Sequence, residues 1–219
     1  MLRAALVVLF VAALSLAPGA TANLPNKEQI RLNPADQASA RAAVLRRADL
    51  GPTGWSGGPV KPDLSSTMSC PGYEPKQSDL VLTGAAEADF RHSGLSIQSV
   101  AQVLKTRSMV AHDWQRTVVA PKAIACLRSM LARALPSNQR VVSFKKLPFP
   151  RLTRYATAYR ALIDFSSQGQ HVLFLADIVL VGRSRTELTL SVVAPAAARA
   201  SISKAEVRLA RNLVARIRA

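Results

Sequence analysis

The chain reads as an α+β domain, an antiparallel meander of about six strands with helices before, within and after it. Three observations predict this. Four segments after Gln139 carry strand-like apolar content and are separated by connections too short for anything but antiparallel neighbours. The apolar spacing changes to one residue in four from Arg107 to Leu135 and again after Ser203, which is a helical period. Removing an N-terminal export signal leaves about 197 residues, enough for one compact domain with its own core.

The signal itself is read from Arg3, an apolar run from Leu6 to Leu16 broken only by Ser15, and the small-residue site Ala20-Thr21-Ala22. The run is too short to span a bilayer, so the expected mature chain starts at Asn23 and is secreted or extracytoplasmic, with no transmembrane span. Such a compartment favours a disulfide between Cys70 and Cys126, the only two cysteines.

Along the mature chain, Asn33 and Pro34 read as a cap and first-turn proline, with Asp36 at the positive end of a helix that runs to about Ala48. Gly51-Pro52 ends it. A Gly, Pro and Ser-rich stretch then passes Trp55 to reach Cys70-Pro71-Gly72, a long loop without a strand pattern that the disulfide is expected to pin. Strands follow at Asp79 to Phe90 and Leu95 to Thr106, joined by Arg91-His92-Ser93-Gly94 as a hairpin. The second places Leu95, Ile97, Ala101 and Val103 on one face and Ser96, Gln98 and Gln102 on the other, so one face is wet.

Val110, Trp114 and Val118 form one helical face, and Pro121 starts or kinks a segment whose face is Ile124, Leu127, Met130, Leu131 and Leu135. Strands are then predicted at Val141 to Leu147, Arg154 to Ser166, Gln170 to Val181 and Arg185 to Val193. Their connections include Ser167-Gln168-Gly169 and Gly182-Arg183-Ser184. The run Val172 to Val181 is apolar on both faces except Asp177, which predicts a central strand. A last helix starts near Ser203, where Ser203 and Glu206 read as a capping box and Ile202 and Val207 as its staple. Its apolar half would dock on the sheet with Arg208, Arg211, Arg216 and Arg218 outward.

The formal charge is +16. Anionic partners are therefore favoured, and the arginine face of the last helix is a candidate contact for an anionic envelope surface. Nucleic acid is disfavoured because the chain is exported and its cations are not interleaved with stacking aromatics. No metal-ligand spacing and no cofactor motif is present, so none is expected. Gly54-Trp55-Ser56-Gly57-Gly58 matches the nucleophile pattern G-x-S-x-G, but the elbow needs a strand before the serine and a helix after it, and this stretch reads as a turn. Asp177, a carboxylate in an apolar strand, marks either a ligand cleft or a structural pair with an arginine such as Arg154 or Arg160. Trp55, Tyr73 and Asp177 are the candidate cleft residues, for an unknown small-molecule, lipid or glycan ligand.

The order of helix, Asp49-Leu50-Gly51-Pro52-x-Gly54-Trp55, Cys70-Pro71-Gly72-Tyr73, hairpin, Trp-containing helix, cysteine-bearing helix and meander with terminal helix resembles the secreted PknH-like sensor-domain family of actinobacterial type. The resemblance spans about Ala42 to Ile217. It implies a PsbP-like sandwich with a cleft for an extracellular ligand and carries over no catalytic residues; it departs in having one cysteine pair where kinase sensor domains can have two. The functional expectation is a non-catalytic, sensor-like ligand-binding domain of the cell envelope. The alternatives are an envelope protein that uses its basic face, and a hydrolase built on His171 or Asp177.

Overall fold

The computed structural model describes residues 26–217 except 52 and 66. The predicted export signal, its predicted cleavage site and Arg218 lie outside the described residues. Four α-helices pack on one eight-stranded sheet: β1 (Gln29–Ile30), α1 (Pro34–Ala43), β2 (Ser56–Val60), β3 (Val81–His92), β4 (Leu95–Leu104), α2 (Arg107–Asp113), α3 (Pro121–Ala134), β5 (Gln139–Leu147), β6 (Tyr155–Ser167), β7 (Gln170–Arg183), β8 (Thr186–Pro195) and α4 (Arg199–Arg216). The order across the sheet is β1-β3-β4-β8-β7-β6-β5, with β2 also on β3. All pairings are antiparallel except β1 with β3. The α+β expectation holds.

Alternation decides which face is which. Ala86, Ala88, Ile97, Ala101, Leu188, Leu190, Val179 and Val181 point to one face, where α1 and α4 cover them with Ala40, Ala43, Leu209 and Leu213. The opposite face carries α2 against β4 and β8, and α3 beside β5, where Leu131 packs on Ala161, Ile163 and Ala176. Near β3 and β4 that face keeps Glu87, Asp89 and Gln98 half-buried, which is the wet side read from the sequence.

The hairpin turns are local decisions. Ser93 and Gly94 (φ 42° and 80°) and Gln168 and Gly169 (φ 50° and 75°) take the left-handed pairs that match strand twist. The reversal after β7 is later than expected: the strand continues through Gly182 and Arg183 and turns at Ser184. Gly182 belongs in the strand because a Cβ there would meet Val110 Cγ1 at 3.0 Å and the Tyr155 Cβ at 3.2 Å, so the glycine admits α2 to the sheet. β7 is central as expected, but its first residues overhang the core and leave Val172 and Leu173 exposed.

Two strands escaped the sequence reading. β2 contains Gly57, Gly58 and Pro59, which suit an edge strand, and β1 has only two residues. The helical region divides in an unexpected way. Between α2 and α3 the residues Trp114–Val119 form a π-helical turn, and its widened ladder frees the Arg116 and Val118 carbonyls to accept the Tyr73 and Tyr159 hydroxyls. On α3 Ala123 and Cys126 are fully buried, while the predicted stripe of Ile124, Leu127, Met130, Leu131 and Leu135 is half-buried. The Cys70–Cys126 disulfide holds the loop against it, with Cα atoms 5.6 Å apart.

α4 begins four residues before Ser203. Ser203 and Glu206 therefore lie inside the helix, where they face the sheet and form no capping box. The reason is the buried charge beneath them.

Candidate functional site

The cleft of this fold opens along the edge of β3. β1 covers that edge at Val81 and Leu82, and β2 covers it from Glu87 to Arg91. Between them the edge is bare, and α1 crosses it: the Ala85 N–H donates to Gln37 Oε1 at 3.1 Å and the Asn33 N–H to the Thr83 carbonyl at 2.9 Å. Gly84 permits the crossing, since a Cβ there would run into the Asp36 backbone. A cavity of about 660 Å³ results, walled by α1, β3, β2 and the Lys61–Leu64 end of the Gly/Pro-rich segment. That size lies within the range of small-molecule sites.

The cleft walls are held by the helix cap read from the sequence and by long-range partners that the sequence did not show. Asn33 caps α1, accepting the Asp36 N–H at 2.9 Å, and Arg185 clamps the Asp36 carboxylate with both guanidinium nitrogens (2.6 and 3.1 Å). The Arg185 hydrogen bond holds Asp36 well below the usual carboxylate range. At the other end of α1, the Leu45 N–H donates to the buried Ser99 Oγ at 2.8 Å, which locks the exit of the helix to β4. The turn that follows, Arg47–Asp49, is gripped by α4: Arg216 donates to the Val44 carbonyl and pairs with Asp49, while Arg208 donates to the Asp49 carbonyl at 3.2 Å. These two arginines do not simply face solvent, as the helical wheel implied. Arg211 does.

The three residues singled out for a cleft are not brought together, and none of them lines this one. Trp55 stands one residue before β2, its indole 5.2 Å from the His92 ring and its carbonyl accepting Arg47. Ser56, the formal nucleophile position, starts an edge strand, and its hydroxyl is directed at the Arg91 carbonyl. Tyr73 serves the loop pin, together with Arg116, which grips Asp79 at 2.7 and 2.9 Å and the Lys76 carbonyl at 2.6 Å.

Asp177 lies beneath α4, almost fully buried, directly opposite Arg160 on the neighbouring strand. Of the two arginines considered, Arg160 is the partner: its Nε reaches Asp177 Oδ1 at 2.6 Å, and Nη2 engages both Asp177 Oδ2 and, at 3.1 Å, Ser203 Oγ. Arg154 sits over the Tyr155 ring instead. Glu206 closes the group from α4. Burial pushes its carboxyl up to about 9, helped by the neighbouring Asp177 charge, so it enters neutral solution protonated.

A second set of buried acids joins the N-terminal lead to α2 and β8. Burial raises Glu28 to about 7, with Asp113 nearby, and burial likewise raises Asp113 and Glu187, which share a hydrogen bond. Among the described residues no group of His, Cys, Asp and Glu is arranged to hold a metal ion.

These acids set the pH dependence of stability. An acid whose folded pKa is raised takes up a proton on folding, so its contribution is full below about 4.5 and is lost as pH climbs through the folded value. Asp36, Asp79 and Asp164 are lowered and act oppositely, losing their contribution as pH falls below their ordinary range. The unfolding temperature is therefore expected to be highest near pH 5 and to decline toward pH 9. Glu206→Gln should flatten that decline and raise stability at pH 8 by roughly 2–3 kcal/mol, read by thermal unfolding across pH. An unchanged slope would exclude Glu206 as its source.

No protein-family model matches the chain. No curated protein matches it either. Among solved structures it is similar to an uncharacterized protein from Mycobacterium smegmatis, an Rv0999 ortholog, with 13% identity and a TM-score of 0.46 over 84% of this chain and 98% of that one. It is also similar to PA94 from Pseudomonas aeruginosa, a protein of unknown function, with 12% identity and a TM-score of 0.28 over 51% of this chain and 70% of that one.

Proposed function

We propose that the chain is a secreted, sensor-like ligand-binding domain of the cell envelope, of the PknH-like kind its motifs resemble, which holds a ligand without transforming it. The observation that carries this reading is the cleft between α1, β3 and the Gly/Pro-rich segment, a concave site built on rigid elements and walled by the long loop. Its lining is non-reactive in character: the one acid among the lining residues, Glu87, accepts a hydrogen bond from Gln98 at 2.7 Å. An enzymatic reading has a different observation in its favour. His171 Nδ1 lies 3.0 Å from Asp164, itself paired with Arg140, but this dyad is on the overhanging end of β6 and β7, and Asp177 is sealed under α4.

The test uses Gly58, which lines the cleft, has an ordinary φ, and has open space where a Cβ would stand. A panel of small molecules, lipids and glycans should contain a compound that raises the unfolding temperature of the protein, and Gly58→Trp should abolish that rise while leaving the unliganded stability unchanged. Reproducible turnover of any panel member, lost in His171→Ala with the fold intact, would replace binding with catalysis.

A further inference from the structure

We propose that the cleft takes a single-chain amphiphile with an anionic head, an inference that rests on the binding reading above. The interior is apolar. Val44 and Leu45 just after α1, Ala86 and Phe90 from β3, and Pro62 and Leu64 from the loop give it a surface with which water interacts poorly and an alkyl chain interacts well. The mouth continues that surface outward, for Leu32 and Val60 line the cleft while being 43% and 44% exposed.

The polar lining is almost wholly of one sign. Arg41, Arg46, Arg47 and Lys61 line the cleft and are exposed, and among the described residues none has a carboxylate within ion-pair distance. Arg116, Arg160, Arg185 and Arg216, by contrast, are each paired with an aspartate. Three of the four cleft cations come from the end of α1 and the turn after it, the segment that Ser99, Arg208 and Arg216 hold in place. Fixed cations at the rim of an apolar cleft match a carboxylate, phosphate or sulfate head with its tail directed inward. A free anion would leave the apolar interior wet, and a neutral lipid would leave the cations without a counter-charge.

Titration calorimetry below the critical micelle concentration tests this with dodecanoate and dodecyl phosphate against dodecanol, acetate and inorganic phosphate. The expected result is that both charged amphiphiles bind at least about tenfold more tightly than dodecanol, and that the small anions bind far more weakly than either. Arg41→Gln/Arg46→Gln/Lys61→Gln should weaken the charged amphiphiles about tenfold or more without lowering the unfolding temperature, while Arg211→Gln, outside the cleft, changes nothing. Vesicles containing phosphatidylglycerol form the second arm. Cosedimentation that dodecanoate displaces identifies membrane lipid as a source of the head, and cosedimentation lost in Arg211→Gln but unaffected by dodecanoate assigns the membrane to the outer side of α4 and counts against the proposal. Equal binding of dodecanol and dodecanoate, or wild-type affinity in the triple variant, overturns the anionic head. If Gly58→Trp still abolishes that binding, the cleft survives as a site; if Gly58→Trp binds as the wild type does, the binding reading fails as well.

Discussion

Replacing Arg160 with methionine is expected to destabilise the protein by about 3–5 kcal/mol, lowering its unfolding temperature by roughly 10 °C. The substitution keeps the unbranched stem of the side chain and removes the charged guanidinium, leaving Asp177 buried with no cation and Glu206 beside it. The loss is the uncompensated carboxylate, not the worth of the ion pair, since desolvating both charges cancels much of their attraction. The second substitution Asp177→Leu in the same chain is therefore expected to recover most of the stability. Thermal and urea unfolding of the two variants decide between these accounts: a double variant as unstable as Arg160→Met would show that the pair itself, and not the orphaned acid, supplies the effect. Because Arg160 also donates to Ser203 at 3.1 Å, hydrogen exchange should show the first half of α4 loosening first.

Breaking the Cys70–Cys126 bond by Cys70→Ser/Cys126→Ser is the other large effect, about 4 kcal/mol in the chain-entropy description of a loop with 56 residues of separation. The loop it closes contains β3, β4, α2 and the π-helical turn, so the unfolded chain gains freedom over two of the eight strands and the helical region after them. In the folded state less changes locally, because Tyr73 and the Arg116–Asp79 pair still hold the loop against the π-helical turn. The expected signature is a fall in unfolding temperature of roughly 10 °C with binding in the α1–β3 cleft unchanged, measured by calorimetry on the same preparation. A variant that melts with the wild type would mean that the bond restrains little in the unfolded chain.

The disulfide was legible from residue count and the predicted export signal, and so were Asn33 as the cap of α1, Pro121 as the start or kink of a helix and the central place of β7. Each depends on chemistry within a few residues or on a strict period, which a linear reading retains. The strand β2 was not legible. Ser-Gly-Gly-Pro-Val has no apolar alternation, and it becomes a strand only because β3 offers it free backbone groups to pair with. The same limit hid the role of Ser203 and Glu206. Their spacing is that of a capping box, yet burial of Asp177 and Arg160 beneath them makes a sheet-facing serine and a protonated glutamate more useful inside the helix.

The sequence by itself determined the α+β class, the succession of most elements and the two half-cystines, because these follow from apolar period, turn residues and cap chemistry. It also flagged Asp177 as anomalous and named Arg160 among its possible partners. The tertiary structure alone decided that Asp177 is closed off, that Trp55 and Tyr73 stand apart from it, and that the cleft lies along β3. That cleft exists because two strands cover the β3 edge at different heights and α1 crosses the interval, with Gly84 admitting its backbone and Gln37 taking the freed N–H. Its cations come from α1, the turn after it and the segment after β2, and they converge only once Ser99, Arg208 and Arg216 have fixed that turn. Long-range pairing sets these positions, and the energy of such pairing depends on neighbours far apart in the chain.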